Sequence, residues 1–325
     1  MSIEASEREN INRWNLSREG GFFESYVVHW VDPAQEMAAV FRYNLLSSKK
    51  RDPDATVWGH FFDRKDPSQN LALKETFPLT SCQVEHELFY FSVGPSAIFQ
   101  SGARGDLKNS TMSWELKFFL PIRSFRHLPA PFYRLKVPAI KWLAPQLTAQ
   151  LGGELKVRDR NFSFSSTVVS QVHLWGNGLD ENWVRGHCHH FKEDPEALFE
   201  GISVPVTVKG RTMNVPLLHI VYRGNSYLVR DPVAWIKSKS STSANQWHFE
   251  VQQERLLFVG DFACSPDSIA SFPHEDPDGS MRQIELTPLA DLKIEIFRKE
   301  PKDWKPIETL TAEKSAFFES GIRRP

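Results

Sequence analysis

Two neighbouring stretches of the chain gather side chains that can stack, transfer protons or bind a ligand. The first, residues 171–178, contains His173 and Trp175. The second, residues 182–191, contains further residues of this kind, among them Trp183, Arg185, His187 and His189. An imidazole can give or take a proton near neutral pH, and an aromatic face stabilises a cation. These residue types predict a site that binds an apolar molecule and moves a proton to or from it.

Both stretches have the composition of β-strands, so their side chains alternate between two faces. His173 and Trp175 then share a face, and the strand ends where Gly176-Asn177-Gly178 allows positive φ. In the second stretch, alternation places the tryptophan, arginine and histidines on one face. That face is too polar for a core and too aromatic for a solvated surface. We therefore expect it to line a cavity or a domain interface.

Two alternatives compete with this interpretation. Each histidine can instead complete a structural hydrogen-bond network, as most buried histidines do. His187 and His189 can also chelate a metal with help from His173, but no carboxylate lies at a diagnostic offset and no cysteine pair completes a tetrahedron. The sequence also lacks a phosphate loop, a nucleophile elbow and a dinucleotide fingerprint. We therefore expect neither a metal nor another cofactor.

Length and composition limit the classes of protein to consider. At 325 residues, with 24 Phe and 10 Trp, the chain can form two packed domains. A net charge of −1 gives no general attraction to nucleic acid. No secretion signal and no apolar run of about 18 residues is present, which predicts a cytoplasmic protein without a transmembrane segment but leaves peripheral membrane contact open. Three widely spaced cysteines fit a reducing compartment.

The remaining sequence predicts an all-β protein. Strands are expected from Gly21 to Trp30, from Met37 to Leu46 and from Met112 to Phe119, and similar runs continue to Phe297. Short helices are expected only at Asp194–Phe199 and in the tail after Pro301. The proline-rich segment from 121 to 145 is expected to be a structured crossover over one end of a barrel, or otherwise a long loop.

A family resemblance adds to this pattern. His173-Leu174-Trp175-Gly176, followed by Trp183 and the histidine-rich strand, resembles the lipocalin-like superfamily of carotenoid 1,2-hydratases and tocopherol cyclases. The runs from Phe23 to Tyr26, from Trp58 to Asp63 and from Trp114 to Leu116 extend the resemblance over most of the chain. It implies two lipocalin-like antiparallel β-barrels or sandwiches in tandem, with domains at residues 18–176 and 177–315.

The resemblance also implies roles for individual residues. In the hydratase branch, the residues that match His173 and Trp175 act in protonating an isoprenoid double bond, together with a downstream Tyr and Asp. No Tyr-x-Asp follows at a comparable distance here, and Phe199-Glu200 is the nearest substitute. The predicted catalytic residues are therefore His173, Trp175 and Glu200. The predicted ligand-binding residues are Trp114, Trp183, Arg185, His187, His189 and Glu24.

Chemistry gives these residues defined tasks. A carboxyl group such as Glu200 or Glu24 can stay protonated in a dry pocket, and the tryptophans can stabilise a carbocation. The first hypothesis is a hydratase, cyclase or isomerase that acts on a terpenoid, carotenoid, steroid or polyketide-like molecule. The second is a carrier of such a molecule without chemistry. In the third, the central aromatic residues only join the two barrels. The oligomeric state cannot be predicted.

Overall fold

The computed structural model describes residues 10–14, 21–119, 124–135, 138–178, 182–208, 210–243 and 245–323. The chain forms two compact units. Unit 1 comprises residues 1–126, 130–179 and 275–281, and unit 2 comprises residues 127–129, 180–274 and 282–325. The domain ranges predicted from the sequence, 18–176 and 177–315, remain a prediction.

The described part of unit 1 is built on one antiparallel sheet. Its strands are β1 (Phe22–Asp32), β2 (Met37–Ser47), β3 (Asp54–Asp63), β4 (Leu71–Pro78), β5 (Cys82–Val84), β6 (Tyr90–Val93), β7 (Ser96–Phe99), β8 (Gly102–Leu107), β9 (Met112–Phe119), β10 (Phe125–Arg126), β11 (Ile140–Val157) and β12 (Arg160–Gly176). Short 3₁₀ turns lie at Pro67–Gln69, Leu79–Ser81 and Ala130–Tyr133.

The strands of unit 1 follow one another around the sheet. The order is β4-β3-β2-β1-β12-β11-β9-β8-β7-β6-β5, with β10 paired to β11. Strand β12 pairs with β1, so the end of the meander returns to its beginning. The two edge strands, β4 and β5, are consecutive in the chain and are joined by the turn at Leu79–Ser81. This is the strand order of an up-and-down barrel.

Alternation along β1 determines which side chains enter the barrel of unit 1. Phe22, Tyr26, Val28 and Trp30 belong to its hydrophobic core. Side chains two apart point to the same face of a strand, so Glu24 also points into the interior. The residues between them are buried as well, so both faces of β1 are covered. This explains why most of its residues are apolar.

Strand β11 shows how a proline is accommodated in the interior of the sheet. We expected the segment from 121 to 145 to be a crossover or a long loop, but Pro145 lies within β11, between β9 and β12. The pairing with β12 shifts in register between Leu143 and Gln146, so the missing N–H of the proline falls at an irregularity. The last of the three register shifts in this pairing lies between Leu151 and Gly153, whose φ is +113°.

The described part of unit 2 is built on a second antiparallel sheet. Its strands are β13 (Asn182–Cys188), β14 (Leu198–Val208), β15 (Arg211–Tyr222), β16 (Asn225–Val229), β17 (Lys239–Thr242), β18 (Gln246–Gln253), β19 (Leu256–Ala263), β20 (Ala270–Glu275), β21 (Met281–Lys299) and β22 (Trp304–Arg323). A 3₁₀ turn lies at Pro266–Ser268.

Unit 2 repeats the winding of unit 1. The order is β16-β15-β14-β13-β22-β21-β19-β18-β17, with β20 paired to β21, and the last strand, β22, again pairs with the first, β13. The interior is packed with aromatic side chains, among them Trp247, stacked on Phe262, and Phe199, stacked on Phe249. The predicted all-β fold of two lipocalin-like barrels in tandem is confirmed.

Helices contribute little to the described residues. Helix α1 (Pro232–Ile236) begins after Asp231, whose carboxylate accepts hydrogen bonds from the backbone N–H groups of Val233 and Ala234. The helix predicted at Asp194–Phe199 is a turn that leads into β14, and the tail predicted to be helical forms β22. Within the described residues, no helix is both long and apolar enough to cross a membrane.

Candidate functional site

The pairing of β1 with β12 brings the first candidate residues together. Tyr26 is the Cα partner of His173, and Glu24 is the Cα partner of Trp175. All four side chains point into the barrel of unit 1, since Tyr26 and Trp175 belong to its core. Gly176 ends β12 where a Cβ atom would lie 2.1 Å from the Ala139 carbonyl oxygen. Only glycine allows the strand to finish so close to the backbone of the neighbouring segment.

A buried carboxyl group lies at the centre of this site. The Nε2 atom of His173 is 2.7 Å from Oε1 of Glu24, and neither side chain has exposed surface. The backbone N–H of Arg13 donates to the same oxygen over 2.7 Å. The hydroxyl of Tyr26 lies 2.8 Å from it. The other oxygen, Oε2, is buried and has no hydrogen-bond partner among the described residues.

Burial sets the protonation of the two rings beside Glu24. It lowers the pKa of His173, against the opposing effect of the hydrogen bond to Glu24, so the imidazole is neutral at physiological pH. Burial, followed by the charge of Glu24, raises the pKa of Tyr26 well above its usual value. Tyr26 is therefore a phenol, and His173 carries one ring N–H.

The contacts of Tyr26 constrain where protons reside. Its hydroxyl lies 2.7 Å from Oδ1 of Asn12 and 2.8 Å from Glu24. The amide nitrogen of Asn12 donates to the carbonyl oxygens of Glu85 and Tyr90, which directs its Oδ1 towards Tyr26. One phenolic proton cannot be donated fully to both acceptors. The Tyr26 hydroxyl therefore shares its proton between Glu24 Oε1 and Asn12 Oδ1.

Trp175 separates this pair from a cavity. Its ring centroid lies 4.5 Å from that of His173, which stacks on Tyr26 at 4.3 Å. The indole lines a cavity of about 900 Å³ in unit 1, together with Tyr133 and Leu143. Tyr133 donates a hydrogen bond to the carbonyl oxygen of Trp142 and thereby ties the 3₁₀ turn to β11. The cavity thus lies one aromatic ring away from Glu24 and His173.

Three arginines also line this cavity, which we call the arginine-lined cavity. They are Arg13, Arg126 and Arg134. No acidic side chain is among the lining residues that the structure describes. The Cζ atom of Arg13 lies 5.4 Å from the ring centroid of Trp175, within the range of a cation–π contact. The cavity therefore combines aromatic walls with positive charge.

A second cluster of predicted residues lies in unit 2. Glu200 contacts His127 Nε2 through Oε1 and His187 Nδ1 through Oε2, each at 2.9 Å. Arg185 lies 3.6 Å from Glu200 and 3.7 Å from Glu319. The residues of β13 and β14 that belong to the hydrophobic core of this barrel include Val184, Cys188 and Phe199. By alternation, Arg185, His187 and Glu200 lie on the opposite faces of their strands, although they too are buried.

The chemistry of this second cluster is that of an ion-pair network. Burial raises the pKa of Glu200, but the charge of Arg185 and the hydrogen bonds from the two histidines outweigh it and hold the pKa well below its usual value. Glu200 is therefore ionised. His189 continues the network, with Nδ1 3.1 Å from His187 Nε2, and burial lowers its pKa well below the usual value. Among the described residues, no group of three or more His, Cys, Asp or Glu side chains could hold a metal ion.

The two remaining predicted ligand-binding tryptophans are Trp114 in unit 1 and Trp183 in unit 2. Trp114 stacks on Phe41 at 3.9 Å, donates to the Tyr43 hydroxyl and borders a separate cavity of about 660 Å³ in unit 1. Trp183 packs over Gly321 in unit 2, where a Cβ atom would lie 2.4 Å from its Nε1 atom. The predicted role of both tryptophans in ligand binding stays a prediction.

Several residues of the site were not predicted from the sequence. Tyr26 follows Glu24 by two positions, and strand alternation was a sufficient signal to place both in the same site. Asn12 and Arg13 precede the first strand and carry no local signal. Their role follows only from the fold, which brings residues 12 and 13 against Glu24.

Comparisons with known proteins agree with this architecture. No family model and no curated protein matches the sequence. Solved structures do match. Kievitone hydratase from Nectria haematococca has a TM-score of 0.53 and 10% identity, with 94% of this chain and 89% of that chain covered. The two chains share the same overall fold.

Two further structures have the same architecture. A protein of Nitrosomonas europaea, provisionally named AttH, has a TM-score of 0.53 and 7% identity, covering 96% of this chain and 97% of that chain. A protein named CghA has a TM-score of 0.51 and 8% identity, covering 93% and 88%. At such low identity the likeness shows the fold alone. It confirms the resemblance to the lipocalin-like superfamily at that level.

Proposed function

We propose that unit 1 binds a small, largely apolar molecule in the arginine-lined cavity and transfers a proton to or from it through Glu24 and His173. The observation that carries this proposal is the 2.7 Å contact between these two fully buried side chains, directly behind the Trp175 wall. A buried carboxyl group beside a neutral imidazole is an acid and a base in contact. The fold shared with a hydratase supports the same reaction class.

The proposed reaction is balanced without a cofactor. Glu24 donates its proton to one carbon of a double bond, and the cation that forms at the other carbon is stabilised by aromatic faces. Water adds to that carbon, and His173 takes the proton that the water releases. His173 then returns a proton to Glu24 across their hydrogen bond, so the net change is the addition of one water molecule. Without water, loss of a neighbouring proton gives isomerisation, and attack by an internal nucleophile gives cyclisation.

Burial of the pair requires movement of Trp175. Neither Glu24 nor His173 has exposed surface, and neither is among the residues that line the cavity. For chemistry to occur, the indole must swing away when the ligand binds and leave the ligand in contact with Glu24. Such gating would also exclude water until the ligand is bound.

The same burial supports a second candidate function, a carrier without chemistry. If Trp175 stays in place, the cavity binds the molecule while the acid–base pair only stabilises the barrel. The carrier and the enzyme predict the same bound molecule but different fates for its hydrogen atoms.

Deuterium transfer distinguishes the two functions. The protein is incubated in D₂O with terpenoid, steroid and polyketide-like alkenes, and mass spectrometry follows deuterium at carbon. An enzyme incorporates deuterium, and Glu24→Gln or His173→Gln lowers the rate by about 10²-fold or more. The matched control is His60→Gln, a buried histidine of unit 1 that stacks beside Trp58, on a strand face opposite the core residues Val57 and Phe61. A ligand that binds but is recovered without deuterium identifies a carrier. Unchanged rates in both site variants would refute the proposed acid–base pair.

A further inference from the structure

We infer that Gln171, together with Gln146, positions the water molecule that reacts beside His173. This inference rests on the proposed function, because it assumes that Glu24 and His173 transfer protons to and from an alkene. It adds a pair of positioning residues to that reaction and a binding site for water, its second substrate.

Gln171 lies on the same face of β12 as His173. Strand alternation places it two residues away, so the two Cα atoms are about 7 Å apart. Its Cα partner on β1 is Val28, which belongs to the core of unit 1, and its Cα partner on β11 is Gln146. Cross-strand partners share a face of the sheet. The two glutamines are therefore neighbours in the interior of the barrel, one step along β12 from the acid–base pair.

The side chain of Gln171 is buried without a partner for either end of its amide. The residue is 1% exposed, and neither Oε1 nor Nε2 hydrogen-bonds to any residue that the structure describes. Because both atoms are unpartnered, exchanging the oxygen and the nitrogen of the amide would not change this result. An unpartnered buried amide costs free energy, and nearly all buried polar groups have a partner in the protein or in water. Gln171 can therefore bind a small group that both donates and accepts.

Three more polar atoms on this interior face have unused hydrogen-bonding capacity. The side chain of Gln146 is fixed, because its Nε2 donates to the carbonyl oxygen of Gln100 over 2.9 Å. Its Oε1 is buried and has no partner within the described chain, and the same holds for Nδ1 of His173 and Oε2 of Glu24. When Nε2 of His173 donates to Glu24, Nδ1 holds the free electron pair. The interior thus offers one N–H donor and several acceptors, which is the complement of a water molecule.

The location of the glutamines favours water over a larger group of the ligand. Both side chains are buried, and neither is among the residues that line the arginine-lined cavity. Along β12, Trp175 lines the cavity, His173 follows, and Gln171 lies on the far side of His173. A ligand skeleton would reach His173 from the Trp175 side. A water molecule needs only about 30 Å³ and two to four polar partners, which the glutamines can provide.

The step assigned to this water is balanced. After Glu24 has protonated one carbon of the double bond, the water on Gln171 gives an electron pair to the cationic carbon and forms the C–O bond. One proton of this water passes to Nδ1 of His173, and the proton on Nε2 returns to Glu24. The product is an alcohol, Glu24 is again protonated, and His173 is neutral with its proton on Nδ1. Exchange with the next water molecule restores the starting tautomer.

The partition between two products tests the inference. The alkenes of the deuterium assay are incubated in D₂O enriched in ¹⁸O. Mass spectrometry then measures the alkene that gains deuterium alone and the alcohol that gains both labels. Gln171→Met keeps the length of the side chain and removes the amide, so it should lower the ratio of alcohol to deuterated alkene by about tenfold or more, as hydrogen bonds to the water are lost. A defect in folding would slow both products and leave their ratio unchanged.

Matched variants separate this role from packing. Gln146→Met should lower the same ratio, and it gives a second measurement if Gln171→Met does not fold. Asn44→Leu is the control. It removes another buried amide of unit 1, whose Oδ1 also lacks a partner in the described chain, from the opposite face of the sheet, where Asn44 pairs with Ser25. This variant should leave the ratio unchanged, and urea unfolding checks that each variant is folded.

A high-resolution crystal structure of the natural protein gives a direct observation. It should contain a water molecule within hydrogen-bonding distance of the Gln171 amide. A ratio that is unchanged in both glutamine variants would overturn the inference, even with that water present, because the water would then be structural only. A ligand oxygen bound to Gln171 in place of water would also overturn it.

The outcomes separate this inference from the proposed function. If the ratio is unchanged in both glutamine variants while Glu24→Gln still abolishes deuterium transfer, the inference fails and the acid–base pair stands. If the natural protein transfers deuterium to none of the alkenes, the proposed proton transfer fails and the role of Gln171 fails with it.

Discussion

Tyr26 and Tyr43 are directly paired across β1 and β2, yet their hydroxyl groups have different partners. The Tyr26 hydroxyl contacts Glu24 and Asn12. The Tyr43 hydroxyl donates to the carbonyl oxygen of Arg104 and accepts from Trp114 Nε1. Both rings are fully buried in the same core. Tyr26 therefore belongs to the candidate site, whereas Tyr43 is equally buried but does not contact Glu24.

The two tyrosines give a matched pair of variants. Tyr26→Phe and Tyr43→Phe each remove a buried hydroxyl, so each should lower the free energy of unfolding by about 1–3 kcal/mol. Only Tyr26→Phe should slow deuterium transfer, because it removes a contact to Glu24. Urea unfolding and the deuterium assay measure the two effects. Equal slowing in both variants would assign Tyr26 a packing role alone.

Buried histidines should make the protein less stable in mild acid. Burial lowers the pKa of His60 to about 3 and also lowers the pKa values of His173 and His189. In the unfolded chain these groups titrate near 6.5. The unfolded state therefore binds more protons below about pH 6.5, and the free energy of unfolding falls as the pH decreases.

Denaturant unfolding at pH 7.5 and pH 5 measures this loss. His60, whose pKa falls to about 3 in the folded protein, should contribute about 2 kcal/mol between the two pH values. His60→Gln should reduce the difference between pH 7.5 and pH 5 by that amount. A variant with the same pH dependence as the natural protein would show that His60 is protonated in the folded state.

The charge of Arg13 should influence His173. Arg13 is one of the groups that lower the pKa of His173, after the larger effect of burial. Arg13→Gln should therefore raise the pKa of His173, and an anion bound beside Arg13 should act in the same direction. Titration of the imidazole Cε1–H signal by NMR measures the change. Arg158→Gln, at an exposed position outside the lining, should leave this signal unchanged.

The ion-pair network of unit 2 should contribute to stability. Glu200→Gln removes the carboxylate nearest to the fully buried Arg185 and leaves Glu319 at 3.7 Å. Breaking one partner of a buried ion pair costs about 3–5 kcal/mol. Glu313→Gln, at an exposed pair with Lys192, should change stability by less than about 1 kcal/mol. Urea unfolding compares the two, and equal effects would show that Arg185 is adequately paired without Glu200.

The fold class could be predicted from the sequence because strand alternation is a local signal. The run from Met112 to Phe119 alternates apolar and polar residues, and it forms β9 with those bounds. The wrong predictions of secondary structure lie where a local sequence signal competes with the pairing of strands. Pro195 suggested a helix, but Asp194 accepts the backbone N–H of Glu196 and forms a turn. The polar tail pairs with β21, a partner that its own sequence does not reveal.

The candidate site could be predicted only in part. His173 and Trp175 share a face by alternation, and the structure places them in one barrel. The contact of His173 with Glu24 depends on the register between strands about 150 residues apart, which no local pattern specifies. Glu200 was named through its position after Phe199, but its partners are His127 and His187. Its predicted catalytic role stays untested.

The return of β12 to β1 has a consequence for synthesis of the protein. Glu24 lies on the first strand of the meander and His173 on the last, so their contact joins the two ends of the barrel. During translation, Glu24 and His173 can come into contact only after β12 has left the ribosome. The pairing of β12 with β1 and the contact between Glu24 and His173 therefore form in the same event, and a product truncated before β12 would have neither.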